Sequence, residues 1–501
     1  MTADLVHSVS LTLVAVLTLY ISKKLKKEDH KIQQIDKKLK CNNDIVYDVI
    51  VIGAGPAGST ASYYLGLNGY KVALLDKKTF PRPKPCGDAW CSPALSLLKE
   101  MNILHTMEAD GICHPVTRGG LISPFGYECI NTEGSKYGEV TGCKTYAIKR
   151  HIADHYLVKA ASKFENVALF ESREAIDAVY NESKVADETG YYTVELKDSS
   201  SELKQGSLQG TFVLICDGST SYLGQKLGII PKSQSQATCS HAYIKEHQWC
   251  DNKEKKAADG VMIFNKSILP GYSALFRHYD NTVYLGTYIL PGGKATSRSI
   301  APFETELMTQ HPYVSSSLGT SYSYEEKRIV APIRVGGVAK SFGKQIFLVG
   351  DAAGHVDPLT GEGIHTAMIA GKIVAGCIDE MIKEGNFSLD ASQVYERRCF
   401  DAFGYEFWSS SMCAKIIYHF PISIDAVAVV GKRRGQKFLD FFGECMTGVR
   451  PKSDFFKDIG LVSEVTVEIL KQLIIQFFRK PLIPLNIGLD IVEKQNKSKS
   501  N

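Results

Sequence analysis

The stretch that most constrains the fold is Tyr47 to Leu67. A Val- and Ile-rich run, Tyr47 to Ile52, leads into Gly53-Ala-Gly55-Pro-Ala-Gly58, and a helix-like stretch, Ser59 to Leu67, follows. A short apolar β-branched run suits a parallel strand buried on both faces. Gly53 permits the tight turn, Gly55 lets backbone approach a pyrophosphate, and Gly58 allows close packing of a helix whose N-terminal amides face the anion. Pro56 and Ala57 belong to the same candidate turn. A second strand, Lys71 to Leu75, ends in Asp76, with Lys77 beside it. An acid about 20 residues beyond the glycines accepts the ribose 2′ and 3′ hydroxyls of an adenosine and repels a 2′-phosphate. Strand, glycine turn, helix, strand and acid together predict a dinucleotide site on an α/β domain.

Its 501 residues leave room for two or three structural units around that site. The net charge of +4 is nearly all local, because Ser22 to Lys40 holds eight lysines against three acids. One basic run without interleaved aromatics is no groove for nucleic acid, so no nucleic-acid partner is expected. The thirteen cysteines form no CxxC pair and no Cys/His cluster at zinc spacing, so they read as reduced thiols with no metal site.

Leu5 to Ser22 lacks any Asp, Glu, Lys or Arg, and such a stretch as helix measures roughly 27 Å, close to the hydrocarbon thickness. Lys23, Lys24, Lys26 and Lys27 follow the apolar run, opposite to a cleaved signal peptide, and place the downstream chain in the cytosol. The segment reads as a transmembrane anchor or, diluted by Ser8, Ser10, Thr12 and Thr18, as a helix lying on the membrane. Either way a membrane is an expected partner.

Two more strand ends carry acids. Lys344 to Gly350 runs into Gly350-Asp351-Ala352-Ala353-Gly354, then Gly361-Glu-Gly363-Ile364 opens a helix-like stretch to Cys377; Leu214-Ile-Cys-Asp217-Gly218 is a third strand-to-turn junction. These segments resemble the FAD enzymes of the p-hydroxybenzoate hydroxylase superfamily. The resemblance implies a Rossmann-type FAD-binding domain, with Asp351 on the ribityl chain, Asp217 near the pyrophosphate and the Ile364 helix start stabilising negative charge on a reduced flavin. It also makes Arg150, in Ala147-Ile-Lys-Arg150, a candidate FAD contact.

From Tyr47 to Gly376 the chain further resembles the geranylgeranyl reductase family, which saturates prenyl double bonds with reduced FAD. The carriers are GDAAGHVDPLTGEG from Gly350 to Gly363, the Lys84-Pro85-Cys86-Gly87 loop, and Pro270-Gly271-Tyr272 with Phe276. By that resemblance Cys86 is the catalytic candidate, and Cys86, Gly87, Pro270, Gly271, Tyr272 and Phe276 contact substrate. Asp88 stands where the family has a second glycine, Ala274 where it has Trp, and Arg277 where it has Pro; the last two imply a wider and more polar tunnel.

The resulting reading is hydride delivery from reduced flavin to an isoprenoid lipid alkene. No second glycine fingerprint marks an NADPH site, so NADPH or another donor docks transiently, or a separate donor protein supplies electrons. The enzyme rival is an FAD monooxygenase or halogenase; the isolated Trp90, Trp249 and Trp408 lack the WxWxIP halogenase signature. The rival from another class is a noncatalytic FAD-binding membrane adaptor.

The expected organisation is an anchor over 1–22, a basic linker over 23–44, an FAD-binding domain in two parts, 45–235 and 336–385, a mixed or antiparallel β-sheet substrate domain over 236–335, and C-terminal helices with a tail over 386–501. In the last part Val462, Val465, Ile469, Leu470, Leu473 and Phe477 recur at helical spacing, as a packing stripe or a membrane-docking face.

Overall fold

Alternation along Val46–Ile52 decides how the first layers stack. Val49 and Val51 point into one buried cluster, beneath the helices, while Ile50 and Ile52 point into another on the opposite face. Val49, Ile50 and Val51 are completely buried, each contributing about 1.5–3 kcal/mol of hydrophobic stabilisation. A computed structural model describes residues 46–130, 145–183, 189–198, 204–231, 236–245, 247–249 and 257–478. The expected anchor, linker and C-terminal tail lie outside these residues.

The first sheet orders its strands Phe342–Gly343, Ile346–Leu348, Lys204–Ile215, Val46–Ile52, Val72–Leu75 and Val167–Phe170, with Arg173–Asn181 and Tyr191–Asp198 extending it as an antiparallel meander. The five strands from Ile346–Leu348 to Val167–Phe170 pair in parallel. Ile52 is in register with both Ile215 and Leu75, and Ile215 with Leu348. Gly53, Asp76, Cys216 and Val349 therefore leave the sheet along one edge, the crevice where open α/β sheets bind ligands. Helix Pro56–Leu67 packs on helix Ile364–Glu384, close enough that a Cβ on Gly371 would sit 2.5 Å from the Ala57 carbonyl oxygen.

The second sheet orders Ser323–Tyr324, Ala237–Lys245, Val283–Ile289, Gly271–Arg277, Gly260–Ile263, Gly119–Ile122 and Glu128–Ile130, with Ile329–Ile333 also on Ala237–Lys245. It is antiparallel except between Gly260–Ile263 and Gly119–Ile122. Gly119–Ile122 and Glu128–Ile130 come from the span read as the first cofactor-binding part, so the chain crosses between layers once more than the linear division shows. In Val283–Ile289, Val283, Leu285 and Ile289 enter the core under helices Ser297–Gln310 and Pro312–Leu318, and Tyr284 and Tyr288 face the other way. That alternation aims a tyrosine face at the first sheet.

Beyond residue 386 the described chain is helical: Leu389–Cys399, Tyr405–His419, Ile422–Arg434, Gln436–Met446 and Ile459–Phe478 are its longer elements. The last exposes Val462, Leu470 and Leu473 and buries Glu468 and Gln472. Its packed side is mixed, joining Leu461 and Val465 to Glu468, which pairs with Arg433 at 3.0 Å. Among the described residues no single helix is long and apolar enough to cross a membrane; Leu389–His419 and Ile422–Arg434 meet that test only together, bent by 104°.

Candidate active site

The glycine turn is held by backbone contacts that admit no side chain. Gly53 has a φ of +105°, and a Cβ there would lie 2.3 Å from the Cys216 carbonyl oxygen. A Cβ on Gly58 would lie 1.9 Å from Gly53 O. Gly55 differs, since its Cβ would meet only Arg82 Nη2 at 3.9 Å. Pro56 starts the following helix, which has no side-chain cap and no acid in its first turn. Its N-terminal amides are thus free for an anion.

Asp76 ends its strand in the same crevice, with its carboxylate already engaged. Ala54 N–H donates to Oδ2 at 3.1 Å, Lys78 N–H to Oδ1 at 2.9 Å, and the Arg82 guanidinium to Oδ2 at 3.1 and 3.0 Å. Arg82 also reaches Asp154 at 3.4 Å. It sets a cation beside the phosphate-binding turn, a role nothing in its local sequence marks.

Asp217 and Asp351 stand at the neighbouring strand ends. Asp217 Oδ1 is buried without a hydrogen-bond partner, and burial pushes that carboxyl up to about 6. Ser219 Oγ donates to Asp351 at 3.3 Å. Helix Ile364–Glu384 begins after Gly363, again with no side-chain cap and no acid in its first turn. Two uncapped helix starts, an orphaned carboxylate oxygen and a turn that Gly53 and Gly58 keep tight border one crevice. Those features fit the pyrophosphate and polyol of FAD.

One cavity of about 460 Å³ joins these groups to the tyrosine face. Gly53, Gly55, Pro56, Ala57, Asp76, Lys77, Cys86, Gly87, Arg150, Asp217, Tyr272, Phe276, Asp351, Gly361, Gly363 and Ile364 line it. Gly58, Pro270 and Gly271 lie outside this lining, Gly58 at the close helix packing read from the sequence. Gly58 is pressed on the Gly53 carbonyl, and Gly271 on Tyr288 O, where a Cβ would lie at 2.2 Å. Pro270 bonds the sheet instead, its carbonyl accepting the Leu290 N–H at 2.8 Å. Ala274 lines the wall, but Arg277 does not; its guanidinium turns to Asn281 at 3.2 Å, so it adds no polarity to the cavity.

The tyrosines present rings to the cavity because their hydroxyls bond backbone carbonyls. Tyr272 donates to Thr360 O, Tyr288 to Pro358 O at 3.2 Å and Tyr284 to Ser240 O at 3.3 Å. Ring centroids of Tyr272 and Tyr288 are 5.7 Å apart.

Cys86 is fixed by His241, whose Nδ1 lies 2.9 Å from the Cys86 carbonyl oxygen. Burial pushes the Cys86 thiol up, against the nearby Arg150 charge, so it stays protonated. Arg150 itself is clamped by Asp154 at 2.7 and 3.0 Å. Asp88 adopts a φ of +56° and is wholly buried. It accepts from Arg150 N–H at 3.1 Å and from the Tyr243 hydroxyl, and faces His278 Nε2 at 3.3 Å. Against the cost of burial, His278, His241 and Tyr243 hold its carboxyl below the usual range.

A second cluster was invisible to spacing. Lys452 is buried and its ammonium meets Asp357 at 3.1 Å and Glu406 at 2.8 Å. Nearby, burial raises Glu362 to about 8, opposed by Lys452 and reinforced by Asp357. Cys91 Sγ lies 3.3 Å from His365 Nδ1, and donor atoms of Cys91, His365 and Glu362 fall within 4.8 Å of one another. Burial keeps the Cys91 thiol protonated as well and lowers His365 to about 4.

Residues 46–386 match the family described as FAD binding domain. The chain is 34% identical over 426 residues to conditioned medium factor receptor 1 of Dictyostelium discoideum, covering 84% of this chain and 81% of that one. It is 28% identical to digeranylgeranylglycerophospholipid reductase of Methanococcus aeolicus, over 71% of this chain and 82% of that one. A geranylgeranyl bacteriochlorophyll reductase-like structure from Thermoplasma acidophilum superposes with a TM-score of 0.66 at 17% identity, covering 82% of this chain and 99% of that one, a likeness of fold.

Proposed function

This chain belongs to the family of the FAD binding domain and is an FAD-dependent oxidoreductase, and on that premise we propose that it saturates carbon–carbon double bonds of a prenyl or other isoprenoid lipid. The observation that carries the reading is the single cavity running from the Gly53 turn to a wall of tyrosine rings with internally bonded hydroxyls. Such a wall suits a hydrocarbon chain and excludes the water that would compete for protons. The reductase relative of Methanococcus aeolicus, named for a digeranylgeranyl lipid, supports the same substrate class.

Gly53, Gly55 and the uncapped helix start at Pro56 would hold the pyrophosphate with Asp217 near it, Asp351 would hold the ribityl hydroxyls, and the uncapped helix start at Ile364 would face the negative charge of the reduced flavin. Reduced FAD supplies the hydride equivalent for one alkene carbon. The other carbon needs a proton, and the wall offers two groups that keep one near neutral pH, the Cys86 thiol and the Glu362 carboxyl. Cys86 is the first choice, because its loop is fixed by His241 on one side and the Asp88 network on the other. NADPH or a separate protein would serve as a transient donor.

The test incubates the full chain, loaded with FAD and reduced under anaerobic conditions, with a membrane lipid extract. The expected product gains two hydrogens. No such product, with one oxygen gained in air, would overturn the reading in favour of a monooxygenase. The relative named as a receptor favours, as second reading, ligand binding without turnover; flavin reduction with lipid retained and unchanged would select it.

A further inference from the structure

Helix Tyr405–His419 is apolar on both sides, with Phe407, Cys413 and Ala414 buried. Its inward side also carries the partnered polar groups: Ser410 donates to Asp357, and Glu406 pairs with the buried Lys452 at 2.8 Å. Its outward side carries Tyr405, Trp408, Met412 and Ile416, and Phe400 and Phe420 extend the apolar stripe past both ends. Spacings of three and four keep these residues on one face. Within the helix Glu406 is the sole acid and is turned inward, so Lys415 is the charged side chain on its exposed side, while Asp401, exposed beside Phe400, borders the stripe at its N-terminal end. A contiguous exposed apolar face of this kind marks a surface meant to be covered.

We propose that this face docks in the interfacial layer of a lipid bilayer, with the helix lying in the membrane plane. Tyr and Trp are the residues that settle at headgroup depth, and from Tyr405 to Phe420 the exposed side carries no carboxylate to repel an anionic surface. The bilayer is favoured over a second copy of the chain by two further features. Leu5 to Ser22 is a second uncharged apolar segment in the same chain. The inward side of the helix is also next to the cavity: Cys413 and Ala414 pack with Leu359 and Met446, and Met446 lines the cavity. A prenyl chain entering from the bilayer would then cross one helix thickness; that purpose rests on the reading of the cavity as a lipid site, whereas the docking face itself does not.

Trp408 is a built-in reporter. It is 57% exposed, whereas Trp90 and Trp249, the other two tryptophans, are 0% and 3% exposed. The full chain with FAD is mixed with vesicles of phosphatidylserine and phosphatidylcholine, the latter brominated in its acyl chains. The Trp408 contribution is taken as the difference between wild type and W408F. The expected result is loss of that contribution in brominated but not unbrominated vesicles, with Trp408 shielded from acrylamide only when vesicles are present. Equal acrylamide access with and without vesicles overturns the proposal, even if the chain sediments with them, because a tethered globule is not a docked one. Shielding already present without vesicles also overturns it, since a second copy or the residues before Val46 then cover the face. None of these signals depends on turnover, so the reductase reading stands or falls separately, on product mass.

Discussion

Asp88 and His278 face each other in the interior, Oδ2 to Nε2 at 3.3 Å, and neither reaches solvent. Asp88 takes a left-handed backbone, φ +56°, which Asp tolerates better than most residues. An aspartate can thus stand where the geranylgeranyl reductase pattern has glycine, and its carboxylate ties the Cys86 loop to Tyr243 and Arg150.

Replacing Asp88 tests that tie. D88G relieves the backbone but leaves the Tyr243 hydroxyl and Arg150 N–H without their acceptor, at about 1–3 kcal/mol for each buried group. Net destabilisation in urea unfolding is the expected outcome. The pH dependence has a definite sign, because the folded carboxyl is held below its unfolded value of about 3.9. Its stabilisation is complete above that value and is lost as pH falls through the lower folded value. The stability gap between wild type and D88N should therefore narrow below about pH 4.

Glu362 behaves oppositely. Its folded value, about 8, is raised by burial above the ordinary carboxyl value of 4.5. Folding stability is then fully present below 4.5 and declines as pH rises through 8. E362Q carries no such titration. Urea midpoints should show wild type losing stability from acid to mildly alkaline pH, with E362Q flatter and the more stable protein at the alkaline end.

Cys86 separates chemistry from binding. C86A should keep its FAD absorbance and its reduction by dithionite. Lipid turnover should fall by roughly 10²-fold or more if the thiol is the proton source. Unchanged turnover in C86A, with a loss in E362Q, would move that role to Glu362.

The glycines of the turn should divide into two behaviours. G58A forces a Cβ to 1.9 Å from a backbone oxygen, so the strand–helix packing must shift, at about 1–3 kcal/mol or more. G55A meets nothing closer than 3.9 Å in the chain itself. Thermal unfolding without cofactor should distinguish G58A from wild type and leave G55A unchanged, while FAD retention should suffer in both.

Local pattern alone determined the strand, turn and helix around Gly53, because β-branched runs and glycine conformations act over a few residues. It also placed Asp217 and Asp351 at strand ends. Tertiary structure decided what depends on partners distant in sequence. Lys452 is 95 residues from Asp357, and no periodicity reports that a buried ammonium has found its carboxylates, or that Glu362 beside them keeps its proton. Arg82 likewise shows its role only once Asp76 and Asp154 converge on it. The helix at Tyr405 makes the contrast plainest: apolar spacing announces a face, but whether it turns inward is settled by where Glu406 and Ser410 find partners, since an unpaired buried charge costs more than an exposed hydrocarbon.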